Sequence, residues 1–278
     1  DEVQDFALLP TKEESDRNVE IIDELREAAL QSGGTFYLFY DRNQAIQGER
    51  NRTYDLPSYI TDSDCRLTLY QNCRNTSAIS QTSLTPLQLP QKRWSGSKVI
   101  DPWSVRVEKP VFHLLDDESL IVETVNKVLD DLQAKDVTDI VLLTVGTMAY
   151  TALRDGLESL DEGADKYWYY CYKRKRYRMT TAQRFKGLEA TAIIMVDLKP
   201  DSFAGKNGMV FYVGASRAKL FLDFVAVIPE GEYKNVIQSV KETEPVNKSA
   251  KRLRNVIQDL FHAKVEDTRL SSVSEMNP

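Results

Sequence analysis

Between residues 15 and 34, Val19, Ile22, Leu25 and Ala29 recur at helical spacing, Ser15 or Asp16 can cap the start, and Gly33-Gly34 marks the end. The pattern then changes. Residues 35–40 form an aromatic-rich run read as a buried strand, which opens into the polar turn residues Asp41, Arg42, Asn43 and Gln44. Residues 66–70 read as another short strand. The Ser/Thr/Pro/Gln-rich stretch 80–97 lacks periodicity and reads as a surface connection. From Pro110 the alternation resumes, with a strand at 111–115 and a helix over 117–134 whose Ile121, Val125, Val128 and Leu132 share a face. A strand at 139–145 and a helix at 147–160 follow. The short apolar runs 192–196 and 209–213 suit strands buried on both faces, and 220–228 is one more strand. An amphipathic helix over 245–262 carries Val246, Leu253, Ile257 and Leu260. Strands alternating with helices predict an α/β fold, a mainly parallel sheet with helices on both faces.

Composition narrows the class. With 278 residues, 42% hydrophobic and 28% charged, the chain can bury a core and suits one large or two modest domains. Apolar runs such as 140–143 fall far below the roughly 18 residues of a membrane span. The acidic start, Asp1-Glu2-Val3-Gln4-Asp5, is no signal peptide and reads as a cut within a longer protein. Three cysteines, Cys65, Cys73 and Cys171, argue against a disulfide framework and for a reducing, cytoplasmic setting. The net charge of −6 speaks against a uniformly nucleic-acid-binding surface but leaves room for a local basic groove. His113 and His262 lack ligand partners at useful spacing, so no structural metal is expected and both are read as structural.

Five segments have chemical potential. Asp1 and Glu2 are adjacent carboxylates, of the kind that hold Mg²⁺ and orient a water in nucleotide hydrolysis. Gln44, in a polar loop after a strand, can donate to a phosphate oxygen and hold a water. Arg74 follows a strand in a polar segment, where a guanidinium can pair bidentately with phosphate. In the stretch 180–190, Gly187 permits close backbone approach, Glu189 can accept from ribose hydroxyls, and Thr181 with Lys186 can meet a phosphodiester. The stretch 211–219 reads as a strand passing through small residues into a helix start, with Arg217 at the strand's carboxyl end. Each segment alone also has an ordinary structural explanation: a solvated terminus, a turn, a surface salt bridge.

Taken in order, DEVQD, YDRNQ, NCRN, TTAQRFKGLEA and VGASRAK resemble motifs II, III, IV, V and VI of the UvrD/Rep-like superfamily 1 helicases, over residues 1 to about 228. The resemblance implies a RecA-like, P-loop NTPase-type fold: residues 1–64 as a remnant of the first motor domain, 65–262 as the second, and 263–278 as a polar, disordered tail. It implies that Asp1 and Glu2 hold Mg²⁺, that Glu2 is the catalytic carboxylate, and that Gln4 links the nucleotide to bound DNA. Gln44 would sense the γ-phosphate, Arg74 and Arg217 would reach it across the cleft, and Glu189, beside Gly187, would bind the ribose. The implied activity is ATP-driven movement on single-stranded DNA, with RNA an open alternative.

Departures from the family pattern are Gln183 for its usual His, Cys73 for its Tyr and Tyr40 for its Gly, all at positions tied to DNA coupling, whereas the phosphate-facing residues are retained. Residues 76–180 leave no room for a large accessory insertion. No G-x-x-x-x-G-K-[ST] phosphate loop occurs in the sequence, so ATP and Mg²⁺ would need the upstream motor domain, and the chain alone is expected neither to bind ATP tightly nor to hydrolyse it. The run 166–178 joins aromatics to Lys173, Arg174, Lys175 and Arg176: a single-strand track, or a hairpin with a charged turn. The alternative class is a non-catalytic nucleic-acid-binding or regulatory module on a degenerate helicase fold.

Overall fold

The computed structural model describes residues 6, 12–39, 71–72, 74–87, 98–99, 108–162, 165–241 and 249–267. The chain divides into two compact units, Asp1–Leu69 and Tyr70–Pro278. In the first, helix α1 (Lys12–Gln31) buries Ser15 and Ile22. Gly33, at φ 73°, reverses the chain, and the Gly34 N–H donates back to the Ala29 carbonyl at 2.8 Å. Residues 34–39 form no strand, and Tyr37 and Phe39 are exposed. A strand exists only through its ladder, and none of the described residues pairs with this run. The expected strand at 66–70 lies outside the described residues, as do Asp1, Glu2, Gln4, Tyr40, Gln44 and Cys73.

The second unit is α/β. Strands β1 (Gln71–Asn72) and β2 (Lys98–Val99) form a small parallel pair. The main sheet contains β3 (Val111–Leu115), β4 (Ile140–Thr144), β5 (Leu157–Glu162), β6 (Asp165–Tyr172), β7 (Lys175–Thr181), β8 (Ala190–Leu198), β9 (Ala218–Val227) and β10 (Lys264–Asp267). Its order is β10-β3-β9-β8-β4-β7-β6-β5, parallel from β10 to β7 and antiparallel over the last two pairings.

Alternation along the strands builds two cores. Along β8, Ile193 and Met195 face one core while Ala192, Ile194 and Val196 face the other. The first core is aromatic: Phe112 stacks on Phe224 at 4.3 Å and Phe211 on Phe224 at 4.8 Å between ring centroids. It is covered by helices α2 (Ser77–Leu84), α4 (Gly205–Ala215), α5 (Tyr233–Lys241) and α6 (Ala250–Phe261). Helix α3 (Ile121–Ala134) lays Ile121, Val125, Val128, Leu129 and Leu132 on the second face.

Four further elements, in the second unit, differ from the sequence expectation. Residues 209–213 lie in helix α4, because a short apolar run reads alike for a buried strand and for a helix buried on several sides. Residues 147–160 contain a 3₁₀ turn (Arg154–Gly156) and the start of β5, which the aromatic strand β6 recruits by pairing. The start of the Ser/Thr-rich connection is helix α2, buried although polar: the Thr82 hydroxyl donates to the Phe261 carbonyl at 2.7 Å and Ser83 to Ser80 at 3.0 Å. Residues 264–267 are not tail but β10, paired with β3.

Candidate functional site

The site begins with a turn held by one amide. The side-chain Oδ1 of Asn72 accepts the N–H groups of Arg74 (3.0 Å) and Asn75 (3.2 Å), while its Nδ2 donates to Asn75 Oδ1 (3.0 Å) and Ser80 Oγ (3.2 Å). Thr76 then caps α2. Arg74 therefore stands exposed at the tip of a fixed turn. Its neighbour Asn75 is buried and donates to two carbonyls, Ser216 at 2.9 Å and Ala218. Those carbonyls flank Arg217, so the Arg74 turn is fastened to the backbone on both sides of the second arginine.

The segment 182–189 joins β7 to β8. In register, Thr144 faces both Thr181 and Val196, so Thr181 stands level with the carboxyl end of β8. Glu189 precedes β8 and lies at its amino end, roughly 20 Å away along the strand direction. Between them Phe185 packs into the first core, Ala182 is fully buried, and Gly187 adopts φ 84°. Nothing lies within 4 Å of a Cβ at Gly187, so the backbone conformation rather than space calls for glycine. The Ala190 N–H then donates to the Arg217 carbonyl at 3.1 Å.

Helix α4 ends at Ala215, followed by Ser216, Arg217 and β9, the reverse of the strand-into-helix reading: Arg217 sits at a helix's carboxyl end and a strand's amino end. Gly214 presses α4 onto the preceding segment, for a Cβ there would meet Met195 Cε at 2.8 Å and Ala182 Cβ at 3.2 Å. Arg217 is 2% exposed; its Nε donates to the Val213 carbonyl at 3.1 Å and its Nη2 to Ser216 Oγ at 3.3 Å. One residue beyond Ala218, Lys219 Nζ contacts Glu189 Oε1 at 2.6 Å, and Arg74 Nε contacts Glu189 Oε2 at 3.2 Å. Lys219, bonded to it, holds the Glu189 carboxyl below its ordinary value, and Arg74 adds to that effect.

The side chains of Arg74 and Glu189 and the backbone of Arg217, with Gly187 in the adjoining segment, are thus held at the amino ends of β8 and β9. Thr181 is at the other end, and Lys186 is half-buried between. Two participants were not foreseen, Asn75 and Lys219, although each directly adjoins a residue that was. Glu189 is engaged by two cations, and Arg217 turns back on its own helix end.

The basic run forms the β6–β7 hairpin, its turn narrowed to Lys173 and Arg174 at φ 46° and 62°. Lys173 reaches Asp130 at 2.7 Å, Lys175 reaches Gln133 at 3.1 Å, and Arg176 reaches Glu158 at 3.1 Å. Tyr170 and Tyr172 donate to Asn126 and Asp130 of α3. Three of the four cations are thus partnered within the fold.

The residues assigned to Mg²⁺, Asp1 and Glu2, fall outside the described residues, and among those described no cluster of His, Cys, Asp or Glu could hold a metal ion. The Arg74 and Lys219 donors around one anion do fit a phosphate group. Among the described residues no helix is long and apolar enough to cross a membrane. No family model matches the chain, and no curated protein matches it.

Proposed function

We propose that the chain supplies motifs II to VI of an ATP-dependent DNA helicase or translocase of the UvrD/Rep-like kind, with residues from 70 onward as its RecA-like second lobe. The observation that supports this best is the joining of three separate segments: Asn75 ties the Arg74 turn to the backbone around Arg217, and Glu189 bridges Arg74 to Lys219. A pure packing role needs no such gathering of exposed cations around one carboxylate. In the proposed mechanism a nucleotide on a phosphate-loop lobe presents its terminal phosphate to Arg74. Arg217 turns out from the Val213 carbonyl to meet the same group. Charge developing on the transferred phosphoryl group is then stabilised only with the lobes closed. The segment 182–189 spans from this cluster to Thr181 at the far end of the sheet, which supports a path from nucleotide to a single strand bound there.

The test joins this chain to a lobe bearing a phosphate loop and measures ATP hydrolysis with and without single-stranded DNA. DNA-stimulated hydrolysis that falls at least a hundredfold in Arg74→Ala is expected. Stimulated hydrolysis that ignores Arg74 contradicts the assignment. The burial of Arg217 favours a second reading, a nucleic-acid-binding or regulatory module without catalysis. It predicts single-strand binding with no hydrolysis in any joined form.

A further inference from the structure

We propose that Glu189 is an internal counter-anion: it holds Arg74 and Lys219 until the end of a polyphosphate displaces it, whereupon Lys219 becomes a second phosphate ligand beside Arg74. This deepens the motor assignment above and presupposes it. The geometry is that of a stand-in. One carboxylate offers each oxygen to a different cation, Oε1 to Lys219 at 2.6 Å and Oε2 to Arg74 at 3.2 Å. Two adjacent oxygens of a phosphate can make the same pair of contacts. A planar fork and a compact ammonium are the two side-chain types that bind phosphate best. Among the described residues Glu189 is the one acid paired with either cation.

The backbones carrying the cations are fixed. Asn72 holds the Arg74 turn, and Asn75 bonds the Ala218 carbonyl just before Lys219. The side chains are free to re-aim, because Arg74, Glu189 and Lys219 are 42%, 43% and 39% exposed. Ion pairs at such exposure hold weakly. A multiply charged phosphate end therefore outcompetes a single carboxylate. Once displaced, Glu189 remains a negative charge beside the ligand, so it sets a threshold that only a highly charged end overcomes. The ligand class is a nucleoside triphosphate or an inorganic polyphosphate rather than a monophosphate.

The experiment is isothermal titration of the 278-residue chain with tripolyphosphate and, separately, with ATP, at low salt. Glu189→Gln is expected to tighten tripolyphosphate about tenfold, since a carboxylate facing several phosphate charges costs on the order of a decade in affinity even at near-water dielectric. Lys219→Ala and Arg74→Ala weaken it by a similar factor, and the Glu189→Gln gain shrinks as salt is raised. Thermal melts of each variant, with Glu189→Ala as a second removal of the charge, separate these effects from misfolding. Tripolyphosphate binding unchanged or weakened in Glu189→Gln overturns the proposal. So does indifference to Lys219, or loss confined to ATP, which marks Glu189 as a ribose ligand only. These outcomes are separable from the motor itself. A Glu189→Gln gain with no hydrolysis in the joined protein keeps the counter-anion and sinks the motor; hydrolysis with tripolyphosphate binding indifferent to Glu189 does the reverse.

Discussion

Asn75 is where a single side chain decides most. Its amide satisfies two buried carbonyls, at Ser216 and Ala218, while its own oxygen accepts from Asn72. Removing it takes these hydrogen bonds from two buried carbonyls and leaves the Asn72 amide only Ser80 Oγ to donate to, which costs on the order of 2–3 kcal/mol. Asn75→Ala is therefore expected to lower the midpoint of urea unfolding by that amount with an unchanged m-value; a change below about 0.5 kcal/mol contradicts the clamp. Glu189 gives a pH signature of definite sign. Its carboxyl is held low by Lys219 and then Arg74, so its contribution is present above the ordinary glutamate value and is lost as pH falls through the folded one. An NMR titration of the Glu189 side chain is expected to show a midpoint below that of an unpaired glutamate, moving up toward it in Lys219→Ala. A midpoint unmoved by that substitution contradicts the pairing. Neither contact is visible in sequence, since Asn75 bonds residues more than a hundred positions away and nothing in its local context announces a partner.

Among the elements, those with strong local signals were legible. Helix α3 carries one apolar face, and β4 and β8 are apolar runs of strand length. Those decided by tertiary partners were not. Helix α4 reads as a strand from 209–213 because it is buried on several sides, and β5 reads as a helix because its pairing comes from a strand after it in the chain. The fit of α4 predicts that Gly214→Val, which drives methyl groups toward Met195 and Ala182, destabilises by about 1–3 kcal/mol; thermal unfolding checks it, and an unchanged Tm contradicts the close packing. The β6–β7 hairpin makes its own prediction. Because Lys173, Lys175 and Arg176 are partnered by Asp130, Gln133 and Glu158, reversing their charges disturbs the fold more than nucleic-acid affinity. A folded charge-reversal variant with single-strand affinity reduced tenfold or more shows a nucleic-acid track instead.

At the scale of the molecule, the sequence supplies the separate segments, and their gathering depends on topology. Segment 182–189 must cross a sheet face to bring Glu189 beside Arg74, and α4 must deliver Arg217 to the amino end of β9. The sequence reading placed Arg217 at the wrong kind of strand end, because it took the apolar helix for a strand. Its convergence with Arg74 rests instead on Asn75 and the Ala190 amide. The Arg217 side chain is buried, so the proposed motor requires it to swing out on closure. Arg217→Ala in the joined, phosphate-loop-containing protein measures this most directly through kcat for DNA-stimulated ATP hydrolysis. The account predicts a loss of roughly a thousandfold or more, as for arginines supplied across a cleft to a transferred phosphate, with Arg217→Lys failing to restore it. A kcat within a few-fold of the parent contradicts it, and leaves Arg217 as a buried tie at the end of its helix.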